Sequence, residues 1–146
     1  MTKLADEFDK FQELTEGLDV DKGPADWRKK EMLANRLHNF YMGVEQILVQ
    51  ISKHFDEDIP EGARWHQDLL ERMTSQAEER PPVFSPETRE ELINLLSFRH
   101  FIRMGYAIDV QWELMKGLVA DFEKVYGITI KEIEEFISEK KIENRD

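Results

Sequence analysis

Apolar residues recur along this chain at steps of three and four, the period of an amphipathic helix. Leu4, Phe8, Phe11 and Leu14 form one such stripe over residues 2–16. Leu33, Leu37, Phe40, Val44, Ile47, Leu48, Ile51 and Phe55 form a longer one over residues 25–55. Residues 63–79 carry a thinner stripe of Trp65, Leu69 and Met73. Ser85 and Pro86 supply a cap and a first-turn proline for a helix over 86–104. Trp112, Met115, Val119 and Phe122 mark a helix over 110–126, and Thr129 with Glu132 reads as a capping box that starts a last one. Breaks fall at 17–26, 56–62, 80–86, 105–109 and 126–129, the first three rich in Gly, Pro and Asp. No segment alternates as a strand does, and no internal repeat or low-complexity tract occurs. The pattern predicts an all-α bundle of five to six helices with short connections, one domain over residues 1–146.

Composition narrows this picture. Hydrophobic residues make up 40% of the 146, and 15 are aromatic (3 Trp, 3 Tyr, 9 Phe), enough for a packed core. Acidic residues outnumber basic ones 31 to 20, for a net charge of −11, which argues against a broad nucleic-acid face while leaving room for a small basic pocket. Cysteine is absent, so disulfides and thiolate zinc sites are excluded and a reducing, cytoplasmic setting is expected. The acidic N-terminus has no apolar signal core, and no apolar run reaches the ~18 residues of a membrane span. The four histidines lie at 38, 54, 66 and 100 without a His-x3-His pair, so neither metal nor cofactor is expected.

The unusual stretch is "SFRHFIRMGY", residues 97–106. Leu92, Leu95, Leu96, Arg99 and Arg103 share one helical face, and Glu87, Glu90, Glu91 and Asn94 lie opposite. In the last two turns Phe98 and Phe101 take over that opposite side. A helix apolar on all sides is covered on all sides, which predicts a partner surface here. Arginines in such a setting either pair with a neighbouring helix's carboxylates or line a cleft that takes an anion. His100 is placed to move protons near neutral pH. In the long helix His38, Tyr41 and Glu45 stand at steps of three and four, either a polar boundary of the core or the rim of that cleft. Trp65 reads as packing and His66 as a solvated helix histidine.

At these residues the chain resembles HepT-like proteins of the HEPN superfamily. Arg99, four residues, position 104, one residue and Tyr106 follow the Arg-x4-His-x-Tyr signature. "LHNFYMGVEQIL" (37–48), "GARWHQDLL" (62–70), "RPPV" (80–83), "SPETREEL" (85–92) and "FRHFIRMGYAIDVQWELM" (98–115) are similar to segments of such a domain, in order, over roughly residues 25–125. The resemblance implies a dimerising helical bundle with its cleft between two copies. It implies metal-independent RNA cleavage in active members, with Arg99 and its polar follower His100 at the phosphate. It further implies toxin–antitoxin pairing with a minimal nucleotidyltransferase, which attaches AMP to the tyrosine matched by Tyr106. Arg103 would add an RNA contact. One position departs: Met104 stands where the signature has histidine, and methionine carries no proton. Three readings stay open. The chain is a degenerate ribonuclease acting as a dimeric binding and regulatory module, an active ribonuclease toxin using Arg99, His100 and Tyr106, or a structural helical dimer without an RNA role.

Overall fold

The computed structural model describes residues 2–77, 80–103 and 108–143, with side chains over 2–77, 80–99 and 112–140. Among the described residues five α-helices follow in order: α1 (Thr2–Thr15), α2 (Trp27–Ile51), α3 (Trp65–Arg72), α4 (Pro86–Arg103) and α5 (Ile108–Glu143). A π-helical turn, Ser52–Asp56, prolongs α2. Among the described residues the only β-type pairing is an isolated bridge between Ala77 and Arg80. The protein is the all-α bundle that the apolar periodicity predicts.

Helix α2 is the axis, and α1, α3, α4 and α5 all contact it. Its stripe of Leu33, Leu37, Phe40, Val44, Leu48 and Ile51 is buried as expected. Helix α1 lies close on it because Gly43 leaves room: a Cβ there would stand 2.6 Å from Leu4 Cδ2. An aromatic knot ties α1, α2 and α5 together. Phe8 stacks on Tyr126 with centroids 4.1 Å apart, Phe11 meets Phe122 at 4.5 Å, and Phe40 meets Phe122 edge-on at 4.9 Å. The loop between α1 and α2 is pinned to α5 by Trp112, whose indole N–H donates to the Val20 carbonyl at 3.0 Å. Gly23, at φ +77°, lets the backbone pass over that indole.

Three expectations are corrected. The expected break at 126–129 is absent, and α5 runs unbroken through Gly127 and Thr129, so no separate C-terminal helix begins there. Glu132 does not box with Thr129. Its carboxylate accepts from the Ser85 N–H (2.7 Å), the Ser85 hydroxyl (3.3 Å) and the Thr88 hydroxyl (2.5 Å), and so caps α4 from a distance. A glycine within a helix costs only about 1 kcal/mol, which burial of Phe122, Val125, Ile133 and Phe136 on either side outweighs.

The third helix ends at Arg72 rather than 79. The hydroxyls of Thr74 and Ser75 turn back to the Glu71 carbonyl, at 2.7 and 3.3 Å. The carbonyls that would continue the helix go elsewhere: Arg72 and Ser75 accept from the guanidinium of Arg80, and Met73 accepts from the N–H groups of Val83 and Phe84. Arg80 is fully enclosed and grips Asp56 through two bonds of 3.0 and 2.9 Å.

Phe98 is corrected too. It is 3% exposed and sits on the buried side of α4 with Leu92 and Leu95, so its own chain covers it. The Phe101 side chain lies outside the described residues.

Candidate functional site

Three helices bring four polar side chains to one place. Tyr41 and Glu45, one turn apart, come from α2; His66 from the first turn of α3; Arg99 from the last turns of α4. The seats are fixed by packing. Val44 and Leu48 anchor this part of α2, Leu69 and Leu70 hold α3, and Leu95 and Phe98 hold α4 beside Arg99, all of them buried.

The contacts lie within one chain. His66 Nδ1 is 2.6 Å from Glu45 Oε2. A carboxylate has no hydrogen to give, so Nδ1 carries the proton and donates it to Glu45, leaving Nε2 as the other edge of the ring. Arg99 Nη1 stands 3.1 Å from that same nitrogen and 3.7 Å from Glu45 Oε1. A protonated Nδ1 accepts nothing, so the mate of Arg99 is the Glu45 carboxylate, paired by charge at a distance too long for a hydrogen bond. The His66 ring lies against Trp65, centroids 3.7 Å apart.

Two donors in the cluster are both buried and without a partner. Arg99 Nε and the Tyr41 hydroxyl are both out of reach of solvent, and neither has a hydrogen-bond partner among the described residues. Burial pushes the Tyr41 phenol well above its ordinary value; the Glu45 charge adds to this and the Arg99 charge opposes it. The Tyr41 hydroxyl is therefore a neutral donor at any physiological pH.

Exposure sorts the four. Tyr41 is 1% and Glu45 8% exposed, so both lie inside the bundle rather than on a solvated polar edge. The side chains of His66 and Arg99 keep 22% and 17%. Arg99 thus answers the question that its sequence position left open: it meets a carboxylate of its own chain and still reaches the surface. His38, one turn before Tyr41, is half-buried. The side chains of His100 and Arg103, and all of Met104 and Tyr106, lie outside the described residues.

His66 is the member that the linear reading passed over. Its partner Glu45 is 21 residues away and on another helix, so no spacing rule connects them. The one available signal was its place in "GARWHQDLL", between the half-buried Trp65 and the core residue Leu69. Among the described residues no group of three or more His, Asp or Glu is arranged to hold a metal ion. No described helix is long and apolar enough to cross a membrane.

A helical bundle built around a long central helix, with an arginine, a histidine and a carboxylate gathered where three helices meet, defines the class. A family model described as HepT-like protein matches residues 32–140, a span that holds all four cluster residues and the signature segment. The chain belongs to the HepT-like family, within the HEPN superfamily. No match was found among curated proteins or among solved structures.

Proposed function

We propose that this HepT-like protein is a toxin–antitoxin component that acts as a homodimeric binding and regulatory module in the cytoplasm, with a ribonuclease centre that has lost its proton carrier. The observation that carries this reading is the state of Arg99. Met104 fills the histidine position of its signature, and its own guanidinium faces Glu45 of the same chain at 3.7 Å. Loss of a general acid or base lowers a rate by roughly 10²–10⁴. The net charge of −11 supports the reading, since RNA affinity draws on phosphate neutralisation. The partner is a small nucleotidyltransferase, and Tyr106 is the residue that it would modify with AMP.

The test is an RNA cleavage assay without metal on the wild type, Arg99→Ala, His100→Ala and Met104→His. The proposal expects cleavage only from Met104→His. Cleavage by the wild type that disappears in Arg99→Ala overturns it. Sedimentation at micromolar concentration reads the dimer, and a compact monomer removes the cleft between copies. Mass spectrometry of Tyr106 after co-expression with the adjacent nucleotidyltransferase reads the modification.

A second reading, an active ribonuclease silenced by AMP on Tyr106, draws support from His66. Its Nδ1–H is held by Glu45 beside Arg99, an arrangement that leaves Nε2 able to take a proton from a 2′-hydroxyl as that oxygen attacks phosphorus, the P–O5′ bond breaking and the 5′-oxygen leaving as a hydroxyl with a proton from water. Wild-type cleavage lost in both Arg99→Ala and His66→Ala would select it. If the wild type and every variant neither cleave nor bind RNA, the chain is a structural dimer.

A further inference from the structure

A groove of about 550 Å³ runs between α1 and α2, and none of the four residues of the Arg99 cluster lines it. Its floor is partly apolar: Met42 is 40% exposed there, and Gly43 beside it adds no side chain. Its α1 rim carries charge in alternation. Lys3, Asp6, Lys10 and Glu13 recur at steps of three and four, so they share one flank of the helix, and all four are exposed. That spacing allows ion pairs within a helix, as Lys116 and Glu113 of α5 form at 3.0 Å. Among the described residues none of the four on α1 takes one. Glu7, on the inner side of the stripe, is engaged with Arg36 of α2 at 2.9 Å. Helix α1 precedes the residues 32–140 that the family model matches.

We propose that this groove receives α1 of a second copy of the chain, run antiparallel about a two-fold axis. Such an axis brings Lys3 of each copy to Glu13 of the other, and Asp6 of each to Lys10 of the other. Both pairs are centred on Phe8 in the sequence, so a single axis satisfies them together. A parallel pairing of the same stripe sets lysine on lysine and carboxylate on carboxylate, so the charges choose the direction. Met42 is the apolar surface that the second helix covers. A polyanion such as RNA is a poorer occupant, because half of the stripe is acidic. Exposed ion pairs each contribute little, so the seam is of moderate strength and sensitive to salt. It uses no residue of α4. A dimer closed at the Arg99 end would therefore pair through α1 into a tetramer.

Sedimentation of the full-length protein at micromolar concentration and low salt reads the seam. Lys3→Glu and Glu13→Lys are each expected to weaken association about tenfold or more, and the double exchange is expected to restore it. The two positions lie about 15 Å apart along the helix, so within one chain they do not touch, and restoration reads contact between copies. Met42→Glu is expected to weaken the seam whatever the charges on the rim. All three sites are exposed, and helical dichroism checks that each variant folds. A tetramer that falls to a dimer in either single variant supports the seam beside the pairing at the Arg99 end. A dimer that falls to a monomer supports the seam and removes that other pairing. Association unchanged in Lys3→Glu, Glu13→Lys and Met42→Glu overturns the seam, and if the unchanged species is a dimer, the pairing at the Arg99 end stands. Single variants that weaken association without restoration in the double overturn the antiparallel register. A monomeric wild type overturns both interfaces.

Discussion

Tyr41→Phe tests the reasoning at the cluster most directly, because it has a sign that intuition would not supply. The substitution removes one oxygen and leaves the ring, so the packing of a residue that is 1% exposed is kept. The hydroxyl has no partner among the described residues. A buried polar group in that state carries a desolvation penalty of about 1–3 kcal/mol, and its removal returns that energy. The variant is expected to be more stable by at least about 1 kcal/mol, a rise of roughly 2–4 °C in Tm for a chain of this size. The pH dependence gives a second, independent sign. A free phenol titrates near pH 10, and burial raises that of Tyr41. The stability held by a raised group is complete below the unfolded value and is lost as pH climbs from there toward the folded one, because the unfolded chain gives up a proton that the native state retains. The advantage of Tyr41→Phe is therefore expected to widen above about pH 10, by about 1.4 kcal/mol at one unit beyond it. Other tyrosines cancel in the difference. Urea melts of both proteins at neutral pH and near pH 11 measure it. A variant less stable than wild type by more than about 0.5 kcal/mol would mean that the hydroxyl is satisfied, and a gap that does not widen would mean that burial does not hold the phenol neutral.

Three further outcomes follow from the bundle. Asp56→Asn strands the enclosed Arg80 guanidinium, whose carboxylate partner is itself 8% exposed, and is expected to cost about 3–5 kcal/mol by urea melt; a loss below about 1 kcal/mol would show that the carbonyls of Arg72, Ser75 and Pro81, which also accept from Arg80, suffice without the charge. Glu132→Ala removes the acceptor shared by Ser85 and Thr88 and is expected to cost about 1 kcal/mol, with faster amide exchange confined to the first turn of α4; unchanged exchange there would show that the remote cap is idle. Gly23→Ala forces a Cβ to within 2.6 Å of the Trp112 ring at a positive φ, and is expected to lower Tm and change the near-ultraviolet dichroism of the indole; a silent substitution would mean that the loop does not rest on Trp112.

Most of the fold was legible in the linear pattern. The stripes of α1 and α2 and the Ser85–Pro86 start of α4 stand where periodicity and capping chemistry put them, because both are local. The Ser85 hydroxyl takes the Thr88 N–H at 3.3 Å as an N-cap should. The misreadings share one cause. Thr129 and Glu132 have capping-box spacing, yet Glu132 is drawn to an N-terminus 47 residues away, and nothing in a window of residues tells which helix end a carboxylate will face. The helix expected over 63–79 ends early because side-chain donors compete for its carbonyls, Arg80 taking those of Ser75 and Arg72, five and eight residues back.

The candidate site divides along the same line. Sequence alone determined which groups were available: Arg99 in the signature, Met104 in place of its histidine, Tyr41 and Glu45 one turn apart beside the longest apolar stripe, and a family resemblance that the match over residues 32–140 bears out. Helix period and capping depend on neighbours in the chain, so the primary sequence carries them. Only tertiary structure decided that Glu45 turns to His66 and Arg99, that Tyr41 is enclosed with its hydroxyl unmatched, and that Phe98 belongs to the core of its own chain. Pairing of charges and burial of donors are settled by where separate helices cross, and crossing is a property of the packed whole.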